Sequence, residues 1–226
     1  MHRSFSIRHQ RGAASSIILA ASCLIAALLG IYIGLYGFKL PGATKPPEIS
    51  GFLWPQQKII HPFEMVNQDG DVVGLESLQG EWNLIFFGYT QCPDICPITM
   101  LTLKQAHDEI GKMDPQRQTD TRVTFVSVDG ARDTPENLAR YIDYFNPDFN
   151  GLTGDKTQVD SLTTQLGIPY EIDPHEPGEA YLVSHSGAVL VVTPEGTVAS
   201  IFQGPHDARP LAENYLQIRR FMEANS

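Results

Sequence analysis

Residues 83–97 of the chain read NLIFFGYTQCPDICP, and this stretch predicts the centre of an α/β fold. Its first part, Asn83–Tyr89, is a short and continuous apolar run, which is typical of a strand buried on both faces. Over residues 97–112 apolar side chains recur at helical spacing, so we expect a helix directly after the strand. Cys92 and Cys96 lie between the two, at the carboxyl end of the strand, where α/β folds place their chemistry.

The rest of the chain alternates between predicted strands and helices. Before the central strand, Phe63–Val66 and Val72–Leu75 flank a turn at residues 68–70 and predict a hairpin. The elements expected after it are a strand at Arg122–Val128, helices at 134–145 and Asp155–Leu166, strands at Tyr181–Val183, Ala188–Val192 and Val198–Phe202, and a last helix at Ala208–Met222. A parallel β-α-β start with a terminal hairpin and helix predicts the α/β class, as a thioredoxin-like mixed sheet flanked by helices.

A charge-free apolar run, Ile17–Phe38, is the clearest feature of the N-terminus, and Arg3, Arg8 and Arg11 precede it. As a helix these 22 residues would span about 33 Å, enough for the hydrocarbon core of a bilayer. The run is longer than the apolar part of a typical signal peptide and lacks a small-x-small cleavage site at its end. We therefore interpret it as a retained N-terminal transmembrane helix.

The basic flank sets the expected topology. By the positive-inside rule, residues 1–16 are the cytoplasmic N-terminus, residues 17–38 are the anchor, and the remainder lies across the membrane. Residues 39–58 are rich in Pro and Gly and predict a linker, and residues 59–226 predict one extracytoplasmic domain. The N-terminus is too short for a long mitochondrial presequence, so we expect a single-pass protein of the bacterial inner membrane with its C-terminal domain in the periplasm.

The composition is that of a globular protein, with 42% apolar and 19% charged residues and a net charge of -10. Residues 1–38 contain three arginines and no acid, which leaves 13 basic against 26 acidic side chains, or -13, for the remainder. Such a surface repels nucleic acid, so no nucleic-acid partner is expected. It suits a basic protein partner or the capture of cations, besides ordinary solubility.

Cys92 and Cys96 are the candidate reactive groups. Pro97 suits only the first turn of a helix, so Cys96 is expected at the helix start, where free N–H groups and the helix dipole favour a thiolate. A thioredoxin-type redox motif has two residues between its cysteines; this motif has three, which lets the sulfurs share a metal while a disulfide can still form. A metal-binding pair, a thiol–disulfide redox pair and a structural disulfide all remain open at this point, since the expected location is oxidising.

A third ligand is expected because two thiolates select soft ions such as Cu(I), and an imidazole commonly completes a trigonal site. The position of His185 favours it: it precedes the predicted strand Ala188–Val192, in the loop that faces the cysteines of thioredoxin-like folds and that a cis-proline normally occupies. The other histidines occupy positions typical of surface or core residues, or precede the anchor: His2, His9, His61, His107, His175 and His206.

Four segments closely resemble the Sco/SenC family of copper proteins: FFGYTQCPDICP, VSVDGARDTPENLARY, GLTG and YLVSHS, in consistent order within residues 63–202. The resemblance implies a thioredoxin-like fold in which Cys92, Cys96 and His185 bind one copper ion, as Cu(I) or Cu(II). It also implies that Cys92 and Cys96 can form a redox disulfide. The implied role is maturation of the dinuclear copper centre in cytochrome c oxidase subunit II, or service to another periplasmic copper protein, as metallochaperone, as thiol reductant, or both.

Two rival functions use the same residues. A membrane-anchored thiol–disulfide oxidoreductase would keep both cysteines and would not need His185. A redox or copper sensor would share all three ligands and deliver no metal. A metallochaperone is not an enzyme, and no catalytic residue is predicted beyond the redox pair.

The chain departs from the family pattern at two positions. Gly130 stands where the family usually has a proline, from which we expect little more than local loosening. Ser184 stands where an aspartate usually precedes the histidine, and a carboxylate there could orient the imidazole or tune its basicity.

Overall fold

The computed structural model describes residues 21–32 and 52–225. All of residues 21–32 are helical (α1). Within the two described ranges, no helix is both long enough and apolar enough to cross a membrane. The predicted anchor, residues 17–38, extends past both ends of α1 into residues outside those ranges, and the predicted cytoplasmic residues 1–16 lie outside them entirely.

The second range folds as alternating strands and helices. The strands are β1 Phe52–Ile59, β2 Met65–Asn67, β3 Val72–Val73, β4 Trp82–Gly88, β5 Thr121–Ser127, β6 Asn150–Thr153, β7 Tyr170–Ile172, β8 Val183–His185, β9 Val189–Val192 and β10 Thr197–Phe202. The helices are α2 Ile95–Met113, α3 Pro115–Thr119, α4 Pro135–Phe145, α5 Lys156–Leu166 and α6 Ala208–Glu223, with a 3-10 turn at Leu75–Leu78.

Eight of the strands form one mixed sheet in the order β1-β10-β9-β4-β5-β6-β2-β3. β4, β5 and β6 are parallel, whereas β9 and β2 join them antiparallel. All seven residues of β4 are buried, as the continuous apolar run predicts. The structure therefore confirms the predicted mixed sheet, with β4 near its middle.

The predicted helices are confirmed, with small shifts at their ends. α2 begins at Ile95, two residues before the predicted start, and Pro97 lies in its first turn, where no N–H is needed. α4 begins as predicted: the Thr134 side chain accepts a hydrogen bond from the N–H of Asn137 at 3.3 Å, and Pro135 is the first helical residue. The predicted apolar stripe of α2 is buried at Met100, Leu103, Ala106 and Ile110.

The predicted linker ends earlier than expected. Residues 52–59 form β1, which pairs antiparallel with β10 at the edge of the sheet, so residues 52–58 belong to the domain and not to a linker. The run contains Pro55, which argues against a strand, but an edge strand tolerates proline because one row of its N–H groups is unpaired. The register shifts between Leu53 and Lys58, on either side of this proline.

A two-stranded sheet separate from the main one was not predicted. It consists of β7 and β8, which pair antiparallel with Tyr170 opposite His185. The predicted strand Tyr181–Val183 is displaced to Val183–His185, because it pairs with β7 instead of joining the main sheet. β6, also unpredicted, carries a glycine and is only four residues long, too short for a clear period.

The segment after β5, residues 129–133, ties the ends of two central strands together. The buried carboxylate of Asp133 accepts hydrogen bonds from the N–H of Thr90 at 2.9 Å, the hydroxyl of Thr90 at 2.6 Å and the hydroxyl of Ser127 at 2.6 Å. Thr90 follows β4 and Ser127 ends β5. Burial of this carboxyl group raises its pKa above the ordinary value, and the three donors oppose that rise.

Gly130 lies in the same segment and touches the backbone of another loop. A Cβ added to Gly130 would lie 1.8 Å from the carbonyl oxygen of Gly154, far inside van der Waals contact. The expectation of mere local loosening is therefore wrong: the missing side chain makes room for the Gly154 carbonyl.

We expect Gly130→Ala to lower the free energy of unfolding by about 2 kcal/mol or more, because the new methyl group meets backbone atoms. Gly187→Ala is the matched control, since its Cβ would meet the flexible end of Ile95 at 3.0 Å and should cost less. Urea unfolding of both variants checks this. Equal stability of the two variants would contradict it.

Asp133 should make stability fall with rising pH over a defined window. Because its folded pKa lies above its unfolded pKa, its contribution is complete below the unfolded value of about 4 and declines as pH rises through the folded value. The unfolding free energy of wild type minus that of Asp133→Asn should fall by up to about 1.4 kcal/mol per pH unit there. Asp143→Asn, at an exposed position of α4, controls for the lost charge, and a flat difference curve for Asp133→Asn would refute the expectation.

Candidate metal centre

The structure brings the three predicted ligands together. The Nε2 atom of His185 lies 3.1 Å from the Sγ of Cys96 and 3.9 Å from the Sγ of Cys92. All three ligand atoms lie within 4.8 Å of one another. Both cysteines carry free thiols. The cysteines come from the β4–α2 connection and the start of α2, and His185 is the last residue of β8.

These distances fit one small metal ion. For metal–ligand bonds of about 2.0–2.3 Å, sulfur and nitrogen ligands in a trigonal plane lie about 3.8 Å apart. The Cys92–His185 distance already has this value, and the Cys96–His185 distance of 3.1 Å needs a small outward movement. Two sulfurs and one imidazole nitrogen form a donor set that suits a soft ion such as Cu(I).

Cys96 is held against the sheet by the shape of β4. Its side chain is fully buried, and a Cβ on Gly88 would lie 2.6 Å from its Sγ and 3.0 Å from the ring of Phe125. Glycine at the end of β4 therefore creates the space that the sulfur occupies. Cys92 is half-buried and thus the more accessible of the two thiols.

The expected stabilisation of a Cys96 thiolate by the helix start is not what the structure shows. Burial raises the pKa of this thiol well above its ordinary value, with smaller contributions from Cys92 and Asp133. The helix does begin at Ile95, as the position of Pro97 requires. Loss of water around a charged sulfur nevertheless outweighs the hydrogen bond with the Tyr89 backbone, which lowers the pKa. In the metal-free protein Cys96 is a neutral thiol.

The imidazole of His185 is oriented for metal binding. Its Nδ1 lies 3.1 Å from the carbonyl oxygen of Ser186, to which it donates, so the lone pair of Nε2 faces the two sulfurs. The rings of Phe86 and Tyr89 meet it edge to face at centroid distances of 6.0 and 5.8 Å. Burial lowers the pKa of the imidazole, which keeps it neutral as a ligand must be.

Ser184 does not occupy a position that could orient this ring. It is exposed and pairs with Glu171 of β7, whereas the neighbouring His185 side chain points to the other face of the hairpin. The hydrogen-bond partner of Nδ1 is the backbone of Ser186, which the substitution leaves unchanged.

Among the remaining histidines, some lie where the sequence predicts and one does not. His61 and His175 are exposed, and His107 is half-buried on the flank of α2, as predicted. His206 is not a plain surface residue: its Nε2 lies 2.8 Å from the carbonyl oxygen of Gly187, two residues after His185. The cis peptide bond in this region joins Gly204 and Pro205. His2 and His9 lie outside the described residues.

Sequence reasoning missed two residues that hold the site in place. Asp133 anchors Thr90, two residues before Cys92, and Arg132 contacts the loop that leads into β8. Both lie in the segment VSVDGARDTPENLARY. The available signal was an acidic residue a few positions past the carboxyl end of a buried strand, where polar groups meet the site.

Comparison with known proteins shows where the chain belongs. The SCO1/SenC family model matches residues 54–220. A protein of Stutzerimonas stutzeri described as a putative copper-binding protein is 34% identical over 153 residues, which are 68% of this chain and 73% of that protein. The chain spans only about half of some mitochondrial relatives, 47% of SCO1 homolog 1 of Arabidopsis thaliana at 32% identity.

Solved structures agree with this match. The crystal structure of Arabidopsis thaliana ScoI with copper bound has a TM-score of 0.66 and 32% sequence identity, covering 72% of this chain and 99% of that one. The fold is also that of BsSco, described as having a disulfide switch and as a member of the Sco family of cytochrome c oxidase assembly proteins. BsSco has a TM-score of 0.55 and 23% identity over 81% of this chain and 99% of its own.

A family model that matches most of the chain, a relative of similar length and a shared thioredoxin-like fold give one answer: the chain belongs to the SCO1/SenC family.

Proposed function

We propose that this protein binds one copper ion through Cys92, Cys96 and His185 and passes it to an assembling copper protein. The observation that carries the proposal is the convergence of two sulfurs and one imidazole nitrogen within 4.8 Å. The copper-bound ScoI structure and the copper-binding description of the Stutzerimonas stutzeri relative support copper as the metal. Membership of the family supports the dinuclear copper centre of cytochrome c oxidase subunit II as the destination.

The unequal exposure of the ligands supports release to a partner. Cys92 and His185 are both half-buried, whereas Cys96 is fully buried. An incoming thiolate can therefore displace Cys92 or His185 first, while Cys96 remains bound to the metal. Cu(I) tolerates two or three soft ligands, so exchange of one ligand at a time needs no free ion.

The proposed location is the periplasmic face of a bacterial inner membrane, with residues 17–38 as the anchor. In the described part of that segment the side chains are apolar and exposed: Leu24, Ile25, Leu28, Leu29 and Ile31. Such a helix surface is costly in water and suits the hydrocarbon of a bilayer. An anchored protein would meet its acceptor at the membrane surface.

A thiol–disulfide reductase is the second candidate, and the same unequal exposure favours it. The accessible Cys92 thiolate would attack a partner disulfide and form a mixed disulfide. Cys96 would then lose its proton, attack Cys92 and release the second partner thiol, so two electrons pass to the partner and one disulfide forms here. The raised pKa of Cys96 slows this second step, because the thiolate is the nucleophile.

Transfer to an acceptor tests the proposed function directly. We expect the full-length protein in detergent, loaded with Cu(I), to build the coloured dinuclear centre in the metal-free soluble domain of subunit II faster than a chelator buffer of equal free copper. Equal rates would refute delivery. Reduction of an oxidised acceptor by the metal-free protein, with no gain from copper, would instead establish the reductase.

Removing the third ligand should separate the two oxidation states of copper. We expect His185→Ala to shift and weaken the visible sulfur-to-Cu(II) absorption, because the copper bound by the two thiolates loses its nitrogen ligand. Cu(I) binding should weaken by roughly 10- to 100-fold, because two thiolates remain to hold Cu(I). His61→Ala, at an exposed histidine, is the matched control. Spectra and affinities equal to those of wild type would show that His185 is not a ligand.

Copper affinity should rise with pH. Because burial keeps the Cys96 thiol protonated in the metal-free protein, binding must release that proton throughout the neutral range. The apparent affinity for Cu(I) should therefore increase about tenfold per pH unit from this thiol alone between pH 6 and 8. Competition against a chelator with known protonation constants measures the slope, and an affinity independent of pH would contradict the expectation.

A further inference from the structure

The hairpin that carries His185 has little backbone support. β7 and β8 have three residues each and form a two-stranded sheet apart from the eight-stranded one. An isolated short hairpin is marginal in water. Side-chain contacts must therefore help to fix it, together with the short connection from His185 into β9, which begins at Val189 in the main sheet. At the open end of the hairpin, opposite His185, the hydroxyl of Tyr170 donates to Asp160 of α5 at 2.6 Å. At the loop end Val183 packs into the core.

The loop leading into β8 is held by Arg132. Its Nη1 donates to the carbonyl oxygen of Tyr181 at 2.9 Å, and its guanidinium lies over the ring of Tyr181, 3.4 Å from the centroid. Its Nε donates to Asp129, whose other oxygen accepts from the hydroxyl of Tyr181 at 2.8 Å. The three residues form a closed set of contacts, with the Arg132 side chain 17% exposed and that of Asp129 fully buried.

The next residue in the chain holds the other half of the metal centre. Asp133 accepts hydrogen bonds from the N–H and hydroxyl of Thr90, which lies in the turn before Cys92. Arg132 also faces the ring of Tyr89 at 5.4 Å, and that ring meets the His185 imidazole edge to face. Two consecutive residues thus connect the cysteine turn with the histidine hairpin.

We infer that Arg132 is a positioning residue that, from its place beside Asp133, fixes the distance of His185 from the two thiols. Without it, the β7–β8 hairpin keeps the Tyr170–Asp160 anchor at its open end but loses the contacts that hold its loop against residues 129–133. Cys92 and Cys96 then stay in place, but the position of His185 relative to them is no longer fixed. The inference rests on the three-ligand site of the proposed function, but the contacts themselves exist in the metal-free protein.

A structural role for Arg132 alone predicts something different. Loss of a buried ion pair would lower stability and leave the ligand set of the folded fraction unchanged. A positioning role predicts a selective loss of the His185 ligand in protein that is still folded. The test therefore measures the ligand and not only the stability.

The first arm uses the metal-free, full-length protein in detergent. We expect Arg132→Met to increase amide hydrogen exchange in peptides covering residues 181–186 at least about tenfold while exchange in β4 and β5 stays at the wild-type rate. Arg209→Met is the matched control, because Arg209 is exposed and forms an ion pair with Glu213 one turn along α6. Unchanged exchange at residues 181–186, or equal acceleration throughout the domain, would overturn the inference.

The second arm measures the ligand set with copper. Arg132→Met should lose the nitrogen hyperfine signal, change the sulfur-to-Cu(II) absorption in the same way as His185→Ala, and weaken Cu(II) binding by roughly 10- to 100-fold, as for other groups that orient a histidine ligand. Arg132→Lys keeps the charge beside Asp129 without the stacked, forked geometry, and should restore only part of the affinity. If Arg132→Met does not fold, Tyr181→Phe removes only the hydroxyl bond to Asp129 and should give a smaller loss in the same direction.

A double-variant comparison decides between the two roles. If Arg132 acts through His185, Arg132→Met should cause no further loss of Cu(II) affinity in a His185→Ala background. The same fractional loss in both backgrounds would overturn the inference. If wild type bound no copper, the proposed function would fail by itself, and the hydrogen-exchange arm would still show whether Arg132 holds the hairpin.

Discussion

The carboxylate of Asp133 is the contact on which the geometry of the metal centre depends. It is fully buried and still accepts three hydrogen bonds, two of them from Thr90 in the turn after β4 and one from Ser127 at the end of β5. Burying a charged group is costly unless its hydrogen bonds are satisfied. Here three donors offset part of that cost, although the pKa of the carboxyl group is still raised, and they fix the turn that presents Cys92.

Much of the fold could be predicted because its signals are local. The continuous apolar run of β4, the helical stripe of α2 and the Thr134 cap each depend on neighbours in sequence, and each is confirmed. β1 escaped prediction because Pro55 argues against a strand unless the edge position is known. β7 was not predicted because it has only three residues, too few to establish an alternating pattern, and its partner β8 lies more than ten residues away in sequence.

For the candidate site, too, some features could be predicted from the sequence and others could not. The cysteines follow from their place between a strand and a helix, and His185 followed from fold position and family resemblance. The contacts that hold them could not be predicted, because Asp133 to Thr90 and Arg132 to Tyr181 join residues more than 40 positions apart. The effect of Ser184 could not be judged from the sequence for the same reason. Only the pairing of β8 with β7 shows that this side chain points away from the imidazole.

Burial sets the charge balance of the site as well as its shape. It raises the pKa of Cys96 and lowers that of His185, so it favours the neutral form of both groups in the metal-free protein. Two thiolates and a neutral imidazole with Cu(I) carry a net charge of -1, and with Cu(II) they carry none. A site of low dielectric disfavours net charge, so burial stabilises the Cu(II) form relative to the same ligands in water. The partial exposure of Cys92 limits this effect, because this residue is less shielded from water than Cys96. The burial of Cys96 and the partial exposure of Cys92 would therefore act in opposite directions on the oxidation state of a copper ion bound at this candidate site. Both depend on where Gly88 and the Thr90 turn place the cysteines.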